Sequence, residues 1–211
     1  MQKIYQMKME SARDWTGNGK STFGTLGASN HTENKREEHD FYATHPSAVL
    51  KLMAHETLPH RIWECACGNG SLSKMLERHG HEVISTDLYD YGYGDSGIDF
   101  LRASEMPPQC TCILTNPPYK YAVDFVLHAL RLLPEKGHLY MFLRIQFLEG
   151  QERRSKIFDI MPPKEVLVFS RRIMCAMNGD FEALGKTGSA ACYAWFVWEK
   201  GYDGATVVDW I

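Results

Sequence analysis

Thr115-Asn116-Pro117-Pro118-Tyr119 follows the apolar run Cys112-Ile113-Leu114 and assembles the parts needed to hold a planar amine or amide. Such a nitrogen is a poor nucleophile, because its lone pair is delocalised into the adjoining π system. Acceptors placed on its N–H groups localise that pair. The Asn116 side-chain oxygen is one candidate, and the Pro117 carbonyl, stiffened by two prolines of fixed φ, is the other. Tyr119 offers a face on which a planar substrate can stack. The plainer reading is a strand-ending turn, since Asn-Pro and Pro-Pro both break regular structure. What separates the two readings is the chemistry at the neighbouring strand ends.

Three further segments carry such chemistry. Glu64-Cys65-Ala66-Cys67-Gly68-Asn69-Gly70 reads as a strand end that enters a helix through two glycines. A dinucleotide fingerprint would want a third glycine where Ser73 stands, and no acid at Glu64. An acid followed by x-x-x-Gly-x-Gly suits a cationic ligand without phosphates, and the amino and sulfonium groups of S-adenosylmethionine meet that description. Asp87, with Leu88 beside it, ends the next strand, where an acid can bind ribose hydroxyls. Asp99 is placed to accept from an adenine amino group and Phe100 to pack on the ring. Each acid taken singly is an ordinary surface-turn residue; their order along the chain makes them a candidate site.

The elements that must position these residues alternate. Ser47 to His55, Ser71 to His79, Tyr121 to Leu133 and Glu152 to Ile160 read as helices. Arg61 to Glu64, Glu82 to Thr86, Thr111 to Thr115, a strand within Gly137 to Leu148, Glu165 to Phe169 and Tyr193 to Trp198 read as strands. The alternation predicts an α/β fold, a parallel sheet covered by helices. Arg171 to Ala190 is read as a functional loop with little periodicity. Residues 1–36 are polar and glycine-dotted and read as a mobile arm, with one folded domain over 37–211. Within the arm, Gly17-Asn18-Gly19-Lys20-Ser21-Thr22 fails as a phosphate loop, because Asp14 occupies the place of its first glycine.

Composition narrows the classes. A 211-residue chain with 44% hydrophobic residues has a core for one domain and no room for a separate large recognition domain. No apolar run suggests a signal sequence or a membrane span, so a cytoplasmic protein is expected. Cys65/Cys67 and Cys110/Cys112 have a Cys-x-Cys spacing, and the pairs belong to opposite ends of adjacent strands, so no metal is expected and free buried thiols are. The net charge of −3 gives no overall attraction for a polyanion, which leaves local basic residues such as Arg153, Arg154 and Lys156, then Arg171 and Arg172, as candidate contacts.

On these motifs the chain resembles the amino-methylating DNA methyltransferases of the N6-adenine type, in particular the small enzymes carried by phages and prophages. The resemblance spans nearly the whole chain. Asp40-Phe41-Tyr42-Ala43-Thr44-His45-Pro46 is similar to motif X, which implies that Tyr42 and Thr44 contact the methionine part of the cofactor. Glu64 to Gly70 resembles motif I, Asp87 motif II, Asp99-Phe100 motif III and Asn116 to Tyr119 motif IV. Thr25 to His31 and the tail Tyr193 to Trp198 are also similar to small phage members. The family fold implied is a Rossmann-like class I S-adenosylmethionine-dependent methyltransferase, with a mixed seven-stranded sheet whose last strand is antiparallel. The implied activity is methyl transfer from S-adenosylmethionine to adenine N6 in DNA, in the host cytoplasm if phage-encoded, with the target base flipped or taken from a single strand onto Tyr119. The departures are His45 between Thr44 and Pro46, Ala66 where an aromatic is common, and the missing recognition domain. Phe169 and Phe181 are candidates for the later aromatic that packs on the base. RNA adenine or a protein glutamine, acted on by the same fold, is the runner-up. N4 of cytosine fits less well, because those enzymes more often carry Ser at the position of Asn116. A catalytically idle cofactor- or nucleic-acid-binding protein would need neither Asn116 nor Tyr119.

Overall fold

Cys112–Thr115, the strand that leads into Asn116, is buried along its whole length, and its apolar residues face both ways as a central parallel strand requires. The computed structural model describes residues 42–173, 175–177 and 191–211. In chain order its elements are β1 (Tyr42–Thr44), α1 (Ser47–His55), β2 (Arg61–Glu64), α2 (Ser73–Arg78), β3 (Glu82–Ser85), β4 (Cys112–Thr115), α3 (Ala122–Leu132), β5 (His138–Arg144), β6 (Glu165–Val168), β7 (Cys175–Met177), β8 (Tyr193–Glu199) and β9 (Val207–Trp210). Seven strands form one sheet in the order β3-β2-β4-β5-β8-β6-β9. All run parallel except β8, which pairs antiparallel with both β5 and β6. The mixed seven-stranded sheet with Tyr193–Glu199 antiparallel is the one expected.

Alternation along each strand divides the core between two faces. Trp63, Ile113, Leu139, Met141, Phe196 and Trp198 pack on α3 through Phe125, Val126 and Leu130. Ile62, Cys112, Leu114, Tyr140, Phe142 and Trp195 face the other way onto α1 and α2, through Val49, Leu52, Leu72 and Leu76. The buried indoles find acceptors: Trp195 Nε1 donates to the Ala48 carbonyl at 2.9 Å, and Trp63 Nε1 donates to Thr86 Oγ1 at 3.0 Å. His45 turns its ring onto the start of α1, with Nδ1 2.8 Å from Ser47 Oγ.

Three expectations change. Arg171 to Ala190 is not free of regular structure, because Cys175–Met177 forms a two-stranded antiparallel ribbon with Tyr42–Thr44. Three residues carry no periodicity, and the partner strand lies far off in sequence. The helix expected over Glu152 to Ile160 is a short turn, Gln151–Arg153, running into a π-helical stretch, Arg154–Phe158. A further strand, β9, follows β8 and closes the sheet beside β6. The arm 1–36 and the expected domain start at 37 lie outside the described residues, as does Phe181. Among the described residues, no helix is long and apolar enough to cross a membrane.

Candidate functional site

The carboxyl ends of β2, β3 and β4 point to one side of the sheet, as parallel register demands. After β2 the chain turns sharply, with Gly68 at φ 53° and Gly70 at φ 77°. The Gly68 N–H donates to Asp87 Oδ2 at 2.9 Å, and the Tyr89 N–H donates to Asp87 Oδ1 at the same distance. Asp87 therefore ties the glycine loop to the end of β3. Burial raises its pKa, and the two backbone N–H groups partly offset that rise. Gly70 serves a packing need as well as a turn, since a Cβ there would run into the Tyr93 ring.

Glu64, the last residue of β2, is buried, and Ser73 Oγ donates to its Oε2. Ser73 Oγ lies in turn 2.7 Å from Ser85 Oγ. Burial pushes the Glu64 carboxyl up to about 8; nearby Asp87 and Glu77 add to the rise and Ser73 opposes it. No ion pair among the described residues includes Glu64. Asp99 stands at the start of a 3-10 turn, Phe100–Arg102; its Oδ1 accepts from the Leu101 N–H at 3.0 Å, and its Oδ2 lies 3.5 Å from Arg102 Nε. Phe100 is itself a core ring, edge-on to Trp63 at 5.2 Å.

The other half of the site is built at the end of β4. The Asn116 amide donates through Nδ2 to Thr44 Oγ1 at 2.9 Å, which turns its oxygen away from Thr44. Thr44 is buried on β1 and registers with Cys175 of β7, whose thiol lies against the Thr44 hydroxyl. A Thr44 hydroxyl that donates to this sulfur keeps a lone pair for Asn116 Nδ2 and so sets the amide's orientation. The β1–β7 ribbon is thus the support of Asn116. The Arg144 guanidinium lies over the Tyr119 ring, 4.6 Å from its centroid. The Tyr119 hydroxyl is buried beside Tyr193, and its pKa rises well above the usual value for want of solvent.

A cavity of about 400 Å³ joins the two halves. Of the residues singled out in the sequence, Thr44, Glu64, Ala66, Asp87 and Leu88 line it, as do Asp99, Phe100, Asn116, Pro117, Pro118 and Tyr119. Gly68 and Gly70 frame the cavity without lining it, and Tyr42 contributes backbone to β1. Arg153 is turned inward on its own segment: its Nε donates to the Phe147 carbonyl at 2.8 Å, and Nη2 donates to that of Glu149. Arg154 pairs with Asp159 at 3.3 Å. Arg171 and Arg172 are exposed just past β6. Phe169 packs on Phe142 in the core, 5.8 Å between centroids.

Sequence reading missed Tyr89, Tyr91, Lys120 and Tyr121 at the cavity, and it missed Arg144, which lies behind the wall over the Tyr119 ring. The signal for Arg144 was present: it is the charge that ends the apolar run Leu139 to Leu143 at a strand's carboxyl end. Five of the six cysteines are buried, Cys192 is exposed, and none is in a disulfide.

No family model matches the chain, and no curated protein matches it in sequence. Solved structures do resemble it. One is a candidate class I S-adenosylmethionine-dependent methyltransferase of Listeria monocytogenes, with TM-score 0.58 and 11% identity, covering 92% of this chain and 71% of that one. A candidate hemolysin of Lactococcus lactis gives 0.53 and 11%, over 77% and 90% of the two chains. A candidate RNA methyltransferase of Pyrococcus horikoshii gives 0.52 and 14%, over 86% and 98%. At such identities the likeness is one of fold. The chain has the Rossmann-like fold of class I S-adenosylmethionine-dependent methyltransferases.

Proposed function

We propose that this protein transfers a methyl group from S-adenosylmethionine to the N6 amino group of adenine in DNA. The observation that carries the reading is the single cavity with Glu64, Asp87 and Asp99 at one end and Asn116 to Tyr119 at the other. The acidic end fits the cofactor's chemistry. Glu64 is a buried carboxyl with a hydroxyl partner and, among the described residues, no basic one, so a cationic ligand would relieve the cost of its ionisation. Asp87 would accept from ribose hydroxyls with the lone pairs left beyond Gly68 and Tyr89, and Leu88 and Phe100 would flank the adenine moiety near Asp99. When bound, the cofactor supplies an electrophilic methyl group.

The chain's own residues then act on the acceptor. Asn116 Oδ1 and the Pro117 carbonyl would accept the two N–H groups of the target amine, localise its lone pair and aim it into the cavity. Both are far too weak as bases to remove a proton beforehand, so the amine would attack neutral; the methyl–sulfur bond would break as the N–C bond forms, and the protonated product would then lose a proton to water. Tyr119, fixed by Arg144 and Tyr193, would provide the stacking plane for a base taken out of its stack. No nucleophile of the protein forms a covalent bond in this scheme.

The test is incorporation of labelled methyl into DNA, followed by digestion to nucleosides. We expect label in N6-methyladenosine of the deoxy series and a loss of about 10²-fold or more for Asn116→Ala, the scale of removing one preorganised hydrogen-bonding group at a reacting centre. Undiminished transfer by the variant would overturn the assignment of Asn116. Label found in RNA or in a glutamine-containing peptide, with none in DNA, would move the proposal to those substrates.

A further inference from the structure

Arg144 stands behind the cavity wall, over the Tyr119 ring, and its charge is not consumed by the proposed chemistry. It ends β5 opposite Tyr193, at the same carboxyl edge of the sheet as Asn116. The other half-buried or exposed arginines with ion pairs have evident partners, namely Arg61 with Glu82, Arg102 with Asp99 and Arg154 with Asp159. No ion pair among the described residues includes Arg144, and its Nε is buried without an acceptor. Its polar neighbours are the Tyr119 and Tyr193 phenols, and burial of those phenols opposes their becoming its counter-ions. Burial disfavours the Arg144 charge and the two phenols favour it, with a net rise in its pKa, so the guanidinium is held charged without a carboxylate among the described residues.

We propose that Arg144 is an anion site, and that its guanidinium takes a phosphodiester of the nucleic-acid strand next to the adenine held at Asn116. The inference rests on the adenine reading above and deepens it. The guanidinium lies over the tyrosine that would receive the base, 4.6 Å from its centroid, and an arginine fork matches two oxygens of a phosphate. A flipped nucleotide brings its own phosphates to this place. A glutamine side chain in a peptide brings none, so the site favours nucleic acid as substrate. Arg171 and Arg172, exposed beyond the carboxyl end of the parallel strand β6, extend the basic track along the same edge. Such a track lets a chain of net charge −3 hold a polyanion.

The experiment is fluorescence anisotropy of a short single-stranded deoxyoligonucleotide with one adenine, in the presence of S-adenosylhomocysteine. Linkages around the adenine are replaced one at a time by neutral methylphosphonate. With the parent protein, one linkage beside the adenine should cost roughly tenfold in Kd, the scale of a lost charge-assisted hydrogen bond. Arg144→Gln should bind the fully charged strand weaker by a similar factor, be indifferent to that same linkage, and show a salt slope smaller by about 0.7. A folded Arg144→Gln protein with parental affinity and salt slope overturns the site. If the variant does not fold, the scan on the parent decides alone, and insensitivity at every linkage beside the adenine overturns it. If the parent methylates the oligonucleotide while either of these results holds, only the Arg144 inference falls. If the parent methylates a glutamine peptide and no oligonucleotide, the adenine reading falls with it.

Discussion

Glu64→Gln should make the ligand-free protein more stable and at the same time blind to its cofactor. The Glu64 carboxyl rises from an ordinary 4.5 to about 8 because it is buried. Between those values the folded chain keeps a proton that the unfolded chain has lost, so folding takes up a proton and stability falls as pH rises. Below about pH 4.5 both states are protonated and Glu64 contributes no slope. Above about 8 both are ionised, and the full cost of a buried carboxylate is present. At 1.36 kcal/mol per pH unit, the span from 4.5 to about 8 amounts to roughly 5 kcal/mol at most. Water entry and relaxation reduce this figure. Glutamine has nearly the same shape and can keep the Ser73 contact, so it removes the slope while leaving the packing in place.

The assay is thermal unfolding of parent and Glu64→Gln from pH 5 to 9, with and without S-adenosylmethionine. Without ligand, the variant should gain on the parent steadily from pH 5 to about 8, and by a constant amount above that. With ligand, the parent's transition should rise and the variant's should not. Calorimetric titration of the parent at pH 7 in buffers of different ionisation enthalpy should show proton release on ligand binding, falling toward zero at pH 9. A variant no more stable than the parent at pH 8, together with binding that releases no proton at pH 7, would refute both the burial argument and the role of Glu64 as counter-ion to a cation.

Two further substitutions probe the supports of the site. Thr44→Val keeps the volume of a buried residue but leaves the Asn116 amide without its 2.9 Å partner; kcat should fall about tenfold, and Thr44→Ser should restore it. Equal kcat for all three proteins in steady-state methyl transfer would remove Thr44 from the mechanism. Gly70→Ala places a Cβ against the Tyr93 ring at a positive φ, and chemical denaturation should show about 1–3 kcal/mol of lost stability; a change within error would mean that Tyr93 moves aside freely.

The parts of this fold legible in the sequence were those whose signal is local. Arg61–Glu64 and Ser47–His55 have the bounds expected, because an apolar strand bounded by turns and a helix begun after a proline announce themselves within ten residues. The β1–β7 ribbon did not, since three-residue strands have no period and their pairing is decided by tertiary contacts. Val207–Trp210 was missed for a related reason: all four residues are exposed, so the strand lacks the alternation that burial of one face imposes. Charge clusters are the least legible: Arg153 and Arg154, expected as substrate contacts, hydrogen-bond to carbonyls and pair with Asp159 around an irregular helical turn, with Arg154 exposed. A run of basic residues reports only that solvent or an anion is near; it does not report which.

Net charge likewise says little about local electrostatics, as the charges along the carboxyl edge of the sheet illustrate. Glu64, Asp87 and Asp99 gather at the ends of β2 and β3 and in the turn beyond, while Lys120, Arg144 and Arg171 follow or end β4, β5 and β6. The sheet order sets these groups side by side, acids on the flank of β3 and β2 and bases from β4 across to β6. Summed over the chain they cancel to a small negative number. Separated along one edge, they form a field that would hold a cation at one end and a polyanion at the other. Under the proposed function, the acidic group would face the cationic methyl donor and the basic group the substrate strand.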